Sequence, residues 1–92
     1  IDPRTLVPLD KETLIASAAK TSRVVVAYEA HLRSGPGAEI AAVLAQEAIE
    51  YLDGPIVRVG ALNVPLPYSP ILEAHTLPDV DDIVAAAKSF WN

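Results

Sequence analysis

Apolar and polar positions alternate at helical spacing soon after the start of the chain. Leu14, Ile15, Ala18 and Ala19 fall on one stripe while Lys11 and Lys20 lie outside it, the pattern of an amphipathic helix laid on a sheet. Asp10 stands where it can cap that helix, and Glu12 sits in its first turn, where the helix dipole favours a negative charge. The helix is predicted to run to about Lys20. "RVVVAYEA" follows, continuously apolar rather than alternating, as in a strand of a parallel sheet covered on both faces.

A second helix is predicted from about Gly37 to Leu52. Ile40, Ala41, Val43, Leu44, Ala45, Ala48, Ile49 and Leu52 occupy most of its circumference, broken only by Glu39, Gln46, Glu47 and Glu50. Val43 lies on the same side as Glu39 and Glu50. A helix apolar nearly all round is buried on more than one side, so one side is assigned to its own sheet and the other, Val43 included, to a second polypeptide. "DGP" ends the helix by the usual Gly and Pro punctuation, and "IVRVGAL" reads as another short strand.

"NVPLPYSPILEAHTLPDVDD" contains Pro65, Pro67, Pro70 and Pro78, which exclude a long regular element. It is expected to be ordered, since Leu66, Tyr68, Ile71, Leu72 and Leu77 have to pack somewhere. A final helix starts near Asp79, with Asp81 and Asp82 complementing its dipole and Val80, Val84, Ala87 and Trp91 repeating on one face. The opening "IDPRTLVPLD" has no initiator Met and reads as the end of a strand, so the chain is taken as a fragment or processed chain. Counting that strand, strands and helices alternate, which calls for an α/β fold with a mainly parallel sheet and right-handed crossovers.

Composition sharpens this picture. The 92 residues make one domain, which buries only about 60 to 65% of its unfolded surface. Yet 51% of the residues are hydrophobic and the mean hydropathy is +0.29, an excess that suggests a surface for a partner. The net charge of −5 disfavours nucleic acid, whose binders need a basic face, and suits a basic protein. The absence of cysteine excludes disulfides and thiolate metal sites and implies no oxidising compartment. No apolar run approaches the ~20 residues of a membrane span, and no signal-peptide pattern opens the chain.

The candidate chemistry is sparse. His31, beside Glu29 and Arg33 at the end of the first apolar strand, could transfer protons, but no nucleophile accompanies it. His31 and His75, with Glu29 or Glu73, lack the spacing of a metal site. "SGPG" could cradle a phosphate through backbone N–H groups. It matches neither common phosphate-loop pattern, however, and Pro36 removes a donor, so Gly35 and Gly37 are read as serving a tight turn and close helix–sheet packing. Asp79, Asp81 and Asp82 form a solvated helix start. No catalytic, cofactor-binding or metal-binding residue is assigned.

"IDPRTLVPLDKETLIASAAKTSRVVVAYEA", "GPGAEIAAVLAQEA" and "VPLPYSPILEAHTLPDVDDIVAAA" together resemble, in order and across essentially the whole chain, one known family. It is the C-terminal domain of the beta subunit of thiamine-diphosphate-dependent 2-oxo acid dehydrogenases, within the wider transketolase C-terminal superfamily. Three positions depart from the pattern: Pro3 replaces a common leucine, Tyr28 a common histidine, and "SGPG" a Gly-Gly-aromatic-Gly turn. His31 is displaced from the usual histidine position, so no family role is carried to it.

The resemblance implies a three-layer α/β fold over residues 1–92, lacking the family's first strand and helix. It implies a non-catalytic domain of a pyruvate, branched-chain or acetoin-type enzyme, with thiamine diphosphate and magnesium bound outside this chain. The implied partners are the rest of the beta subunit, the alpha subunit, a second beta subunit and a basic subunit-binding domain of the acyltransferase. The implied location is bacterial cytoplasm or mitochondrial matrix. Ile40, Val43, Leu44, Glu47 and Glu50 are the expected interface residues, with Asp53 continuing the acidic edge. Alternatives are an oligomerisation or adaptor domain, or the C-terminal domain of a transketolase or deoxyxylulose-phosphate synthase.

Overall fold

The first helix begins where its capping residue stands. In a computed structural model, which describes residues 1–91, Asp10 Oδ1 accepts from Thr13 N at 3.1 Å and Oδ2 from the Thr13 hydroxyl at 2.7 Å. These bonds, the hydroxyl's first, hold the Asp10 carboxyl below the usual carboxylate range, because both favour the charged form. Helix α1 spans Lys11–Thr21 and closes at Ser22, whose φ of 62° is left-handed and whose N–H reaches Ala18 O at 2.8 Å. Strand β1 covers Val25–His31 and helix α2 Pro36–Glu47. Strand β2 covers Val57–Ala61, and helices α3 (Pro70–Thr76) and α4 (Val80–Lys88) complete the order.

The two strands pair in parallel, Val25 opposite Val57 and Ala27 opposite Val59. Alternation along them assigns the layers. Val24 and Ile56 pack against the buried cluster of Ala18 from α1 with Leu44 and Ala48 from α2 and the residue after it, while Val25 lies beside Ala87, Phe90 and Trp91. Helices α1 and α2 therefore cover one face and α4 the other, giving a helix–sheet–helix α/β arrangement.

Several expectations are corrected. Residues 1–10 form no strand, and the order is helix, strand, helix, strand, helix, helix. Helix α2 stops at Glu47, short of the predicted Leu52. Ala48 leaves helical geometry at φ −129°, and one 3₁₀ turn, Ile49–Tyr51, follows. Of the apolar residues in the proline-rich connection, which have to pack somewhere, Leu66, Tyr68, Ile71 and Leu72 are exposed within this chain and Leu77 is half-buried. The prolines lack the N–H a ladder or helix interior needs, and the residues before them are disfavoured in helical geometry, so no long element forms here. The predicted stripe of Val80, Val84, Ala87 and Trp91 is exposed; α4 ends at Lys88, leaving Trp91 in a 3₁₀ turn, Ser89–Trp91, and the buried residue of α4 is Ala86. A capping box starts this helix: Asp79 Oδ1 accepts from Asp82 N at 2.9 Å and Asp82 Oδ2 from Asp79 N at 3.0 Å, so the acidic cluster is built into the helix start.

Candidate functional site

The corner after β1 is shaped by three glycines. Between the Ala27–Val59 and His31–Ala61 pairs β1 advances four residues and β2 two, so β1 carries a bulge at its carboxyl end. Gly60 lies beneath it, where a Cβ would stand 3.0 Å from Ala30 O. Gly35 opens α2 as an N-cap without a side-chain bond, and a Cβ there would run into the carbonyl of His31. Gly37, buried in the first turn, lies so close to the Tyr28 ring that any Cβ would fall inside it. The reading of "SGPG" as a turn allowing close helix–sheet packing thus has a physical cause in Tyr28.

Next to this turn, the loops leaving the two strands are tied together. His31 Nε2 meets Val64 O at 2.8 Å, Arg33 N donates to Asn63 Oδ1 at 2.9 Å, and Leu32 N donates to Ala61 O at 3.1 Å. Arg58 Nη1 donates to Leu32 O at 2.6 Å. Glu29, His31 and Arg33, considered together from the sequence, share no hydrogen bond or ion pair among the described residues; His31 instead latches a loop 33 residues away. Asn63 and Arg58 drew no attention in the sequence, because nothing local marks a bond across such a separation. Among the described residues no group of three or more His, Asp or Glu could hold a metal ion, and no helix is long and apolar enough to cross a membrane.

The expected interface residues divide. Leu44, at 2% exposure, and Val43, at 7%, find their cover within this chain, and Ile40 is half-buried against the same cluster. The open side of α2 is instead formed by Ala42 and Ala45, and continues to Ile49 in the following turn. Glu47 is exposed but held by Lys11 at 4.0 Å, a surface pair worth little in stability. Glu50 and Asp53 are exposed in the turns after α2 and take part in no ion pair among the described residues.

Two parallel strands with helices on both faces and a glycine-built strand-to-helix corner define an α/β domain. The chain belongs to the transketolase C-terminal domain family, whose profile, "Transketolase, C-terminal domain", matches residues 1–83. It is 47% identical over 88 residues to the pyruvate dehydrogenase E1 component subunit beta of Rickettsia conorii, covering 96% of this chain and 27% of that protein. It is 46% identical over 88 residues to a mitochondrial pyruvate dehydrogenase E1 component subunit beta-2 of Oryza sativa, covering 96% and 23%. It is 41% identical over 85 residues to the acetoin:2,6-dichlorophenolindophenol oxidoreductase subunit beta of Bacillus subtilis, covering 92% and 25%. The chain thus spans between 23% and 27% of the length of these relatives.

Proposed function

We propose that this chain is the C-terminal, non-catalytic domain of the beta subunit of a 2-oxo acid dehydrogenase, serving subunit assembly and docking to the acyltransferase. Pyruvate stands in the names of two of the relatives above and acetoin in the third, so the substrate belongs with these small keto compounds. Work in bacterial cytoplasm or mitochondrial matrix suits these relatives. The observation that carries the docking role is the acidic edge beyond α2, where Glu50 and Asp53 are exposed and have no intrachain ion pair among the described residues, in a chain of net charge −5. Such an edge steers a basic partner and fixes its orientation more than it adds bulk affinity.

The test is association of the intact beta subunit with the basic subunit-binding domain of the acyltransferase at low and high salt. Glu50→Gln with Asp53→Asn is expected to slow association roughly tenfold at low salt and to flatten its salt dependence. Glu47→Gln, already paired with Lys11, is expected to change it less. An unchanged on-rate and salt slope in the double variant returns these carboxylates to solvent.

Thiamine diphosphate and magnesium are proposed to bind outside these residues. The residues present do not fit them: no metal-ligating cluster exists among the described residues, and Pro36 removes a donor from the one glycine-flanked turn that opens a helix. Calorimetry of the isolated chain with thiamine diphosphate and magnesium is expected to show no binding; a dissociation constant near ~1 μM, about 8 kcal/mol of binding energy, would overturn this assignment.

The further strand and helix of the family are proposed to complete the sheet on the free edge of β1. That edge opens on a cavity of ≈ 400 Å³ whose lining includes Leu6, Leu14, Val26, Tyr28 and Ile40. An unpaired strand edge beside an apolar slot is a template for another strand.

A further inference from the structure

An open groove of ≈ 800 Å³ runs between α2 and the chain that enters β2. Ala38, Ala42 and Ala45 line it along about 10 Å of helix, Ile49 continues that wall, and Pro55 and Ile56 form the facing one. The end nearest the start of α2 is different in kind. There Arg33, Ser34, Arg58 and Asn63 line the same groove, in a chain whose net charge is −5. None of the twelve Asp and Glu side chains lines it.

The donors at this end are placed by the loop ties described above. Arg58 spends one N–H on Leu32 O at 2.6 Å, and Asn63 Oδ1 accepts from Arg33 N at 2.9 Å, which leaves the Asn63 amide N–H groups to donate. The Arg33 guanidinium makes no hydrogen bond or ion pair among the described residues. Asp82, which shares a second cavity with Arg58, is engaged in its capping box and forms no ion pair with it. Two cations therefore face one cavity without a counter-charge.

We propose that this groove binds an aliphatic carboxylate, its head group held by Arg33 and Arg58 with Asn63 donating beside them, and its tail laid along Ala38, Ala42 and Ala45. The guanidinium fork matches the two oxygens of a planar carboxylate. The methyl groups of the alanines remove the tail from water without any polar group of their own to satisfy. No aromatic side chain lines the groove, so a ring-bearing anion has no face to stack on, and an aliphatic tail is the body that fits. The inference uses only this chain's own residues and goes beyond its reading as an assembly domain.

The test is titration of the intact protein containing this chain with butanoate, hexanoate and octanoate, followed by ligand-observed nuclear magnetic resonance. Affinity is expected to rise about twofold per added methylene, as for a tail covered on one side. Octanol, with the same tail and no charge, is expected to bind roughly tenfold more weakly. Arg33→Gln is expected to weaken octanoate roughly tenfold and to leave octanol unchanged. Ala42→Glu, at an exposed helix position, puts a charge where the tail lies and is expected to weaken both. No saturable binding, as when another chain fills the groove, or octanoate binding unchanged in both variants, overturns the site. Equal affinity for octanol and octanoate overturns the arginine head group, and affinity independent of tail length overturns the alanine floor; either result sinks the proposal as stated.

Discussion

Val43→Asp is expected to unfold the domain, not merely to weaken its association with other chains. Val43 is 7% exposed within the chain itself, so the new carboxylate would be desolvated with no partner supplied. The valine's own burial, about 1.5–3 kcal/mol, would be lost as well. A total of about 4 kcal/mol or more is comparable with the whole stability of a domain this size, at the low end ~5 kcal/mol. Urea unfolding followed by circular dichroism would show the loss directly, with Glu50→Gln, on the exposed turn after α2, as a near-neutral control. An unchanged midpoint accompanied by lost association would return Val43 to the contact surface.

Gly37→Val tests the corner. The added side chain must occupy the space of the Tyr28 ring, and Tyr28 is half-buried beneath α2 with its hydroxyl 3.5 Å from Leu32 O, so it cannot swing freely aside. Overpacking of this kind costs about 3 kcal/mol, which in a chain of this length lowers the melting temperature by roughly 15 °C. The same change in a Tyr28→Ala background is expected to cost less by about 1–2 kcal/mol, because neighbours that share one space are not additive. Equal losses in both backgrounds would show that Tyr28 is not what requires glycine there.

Local chemistry determined which segments form which elements. Asp10 and Asp79 mark the starts of α1 and α4, Pro36 begins α2, and the apolar runs around Val25 and Val57 become parallel strands. Each depends on neighbours within a few residues, and so each was legible. The quoted stretches also carried the family, later met in the match over residues 1–83.

Tertiary structure alone decided which of several apolar faces is covered. Helix α2 is apolar on most sides, and periodicity cannot rank Val43 against Ala42 or Ala45; the approach of α1 and the strands buries the first and leaves the others open. In α4 the longer side chains Val80 and Val84 are exposed while the small Ala86 is buried. Hydrophobicity says how much each side chain favours burial, not where the neighbouring surface lies. The His31–Val64 and Arg33–Asn63 bonds likewise arise from parallel pairing, which brings together strand ends about 30 residues apart. The sequence determined the elements and their kinship; packing determined which residues remain outside for other chains to meet.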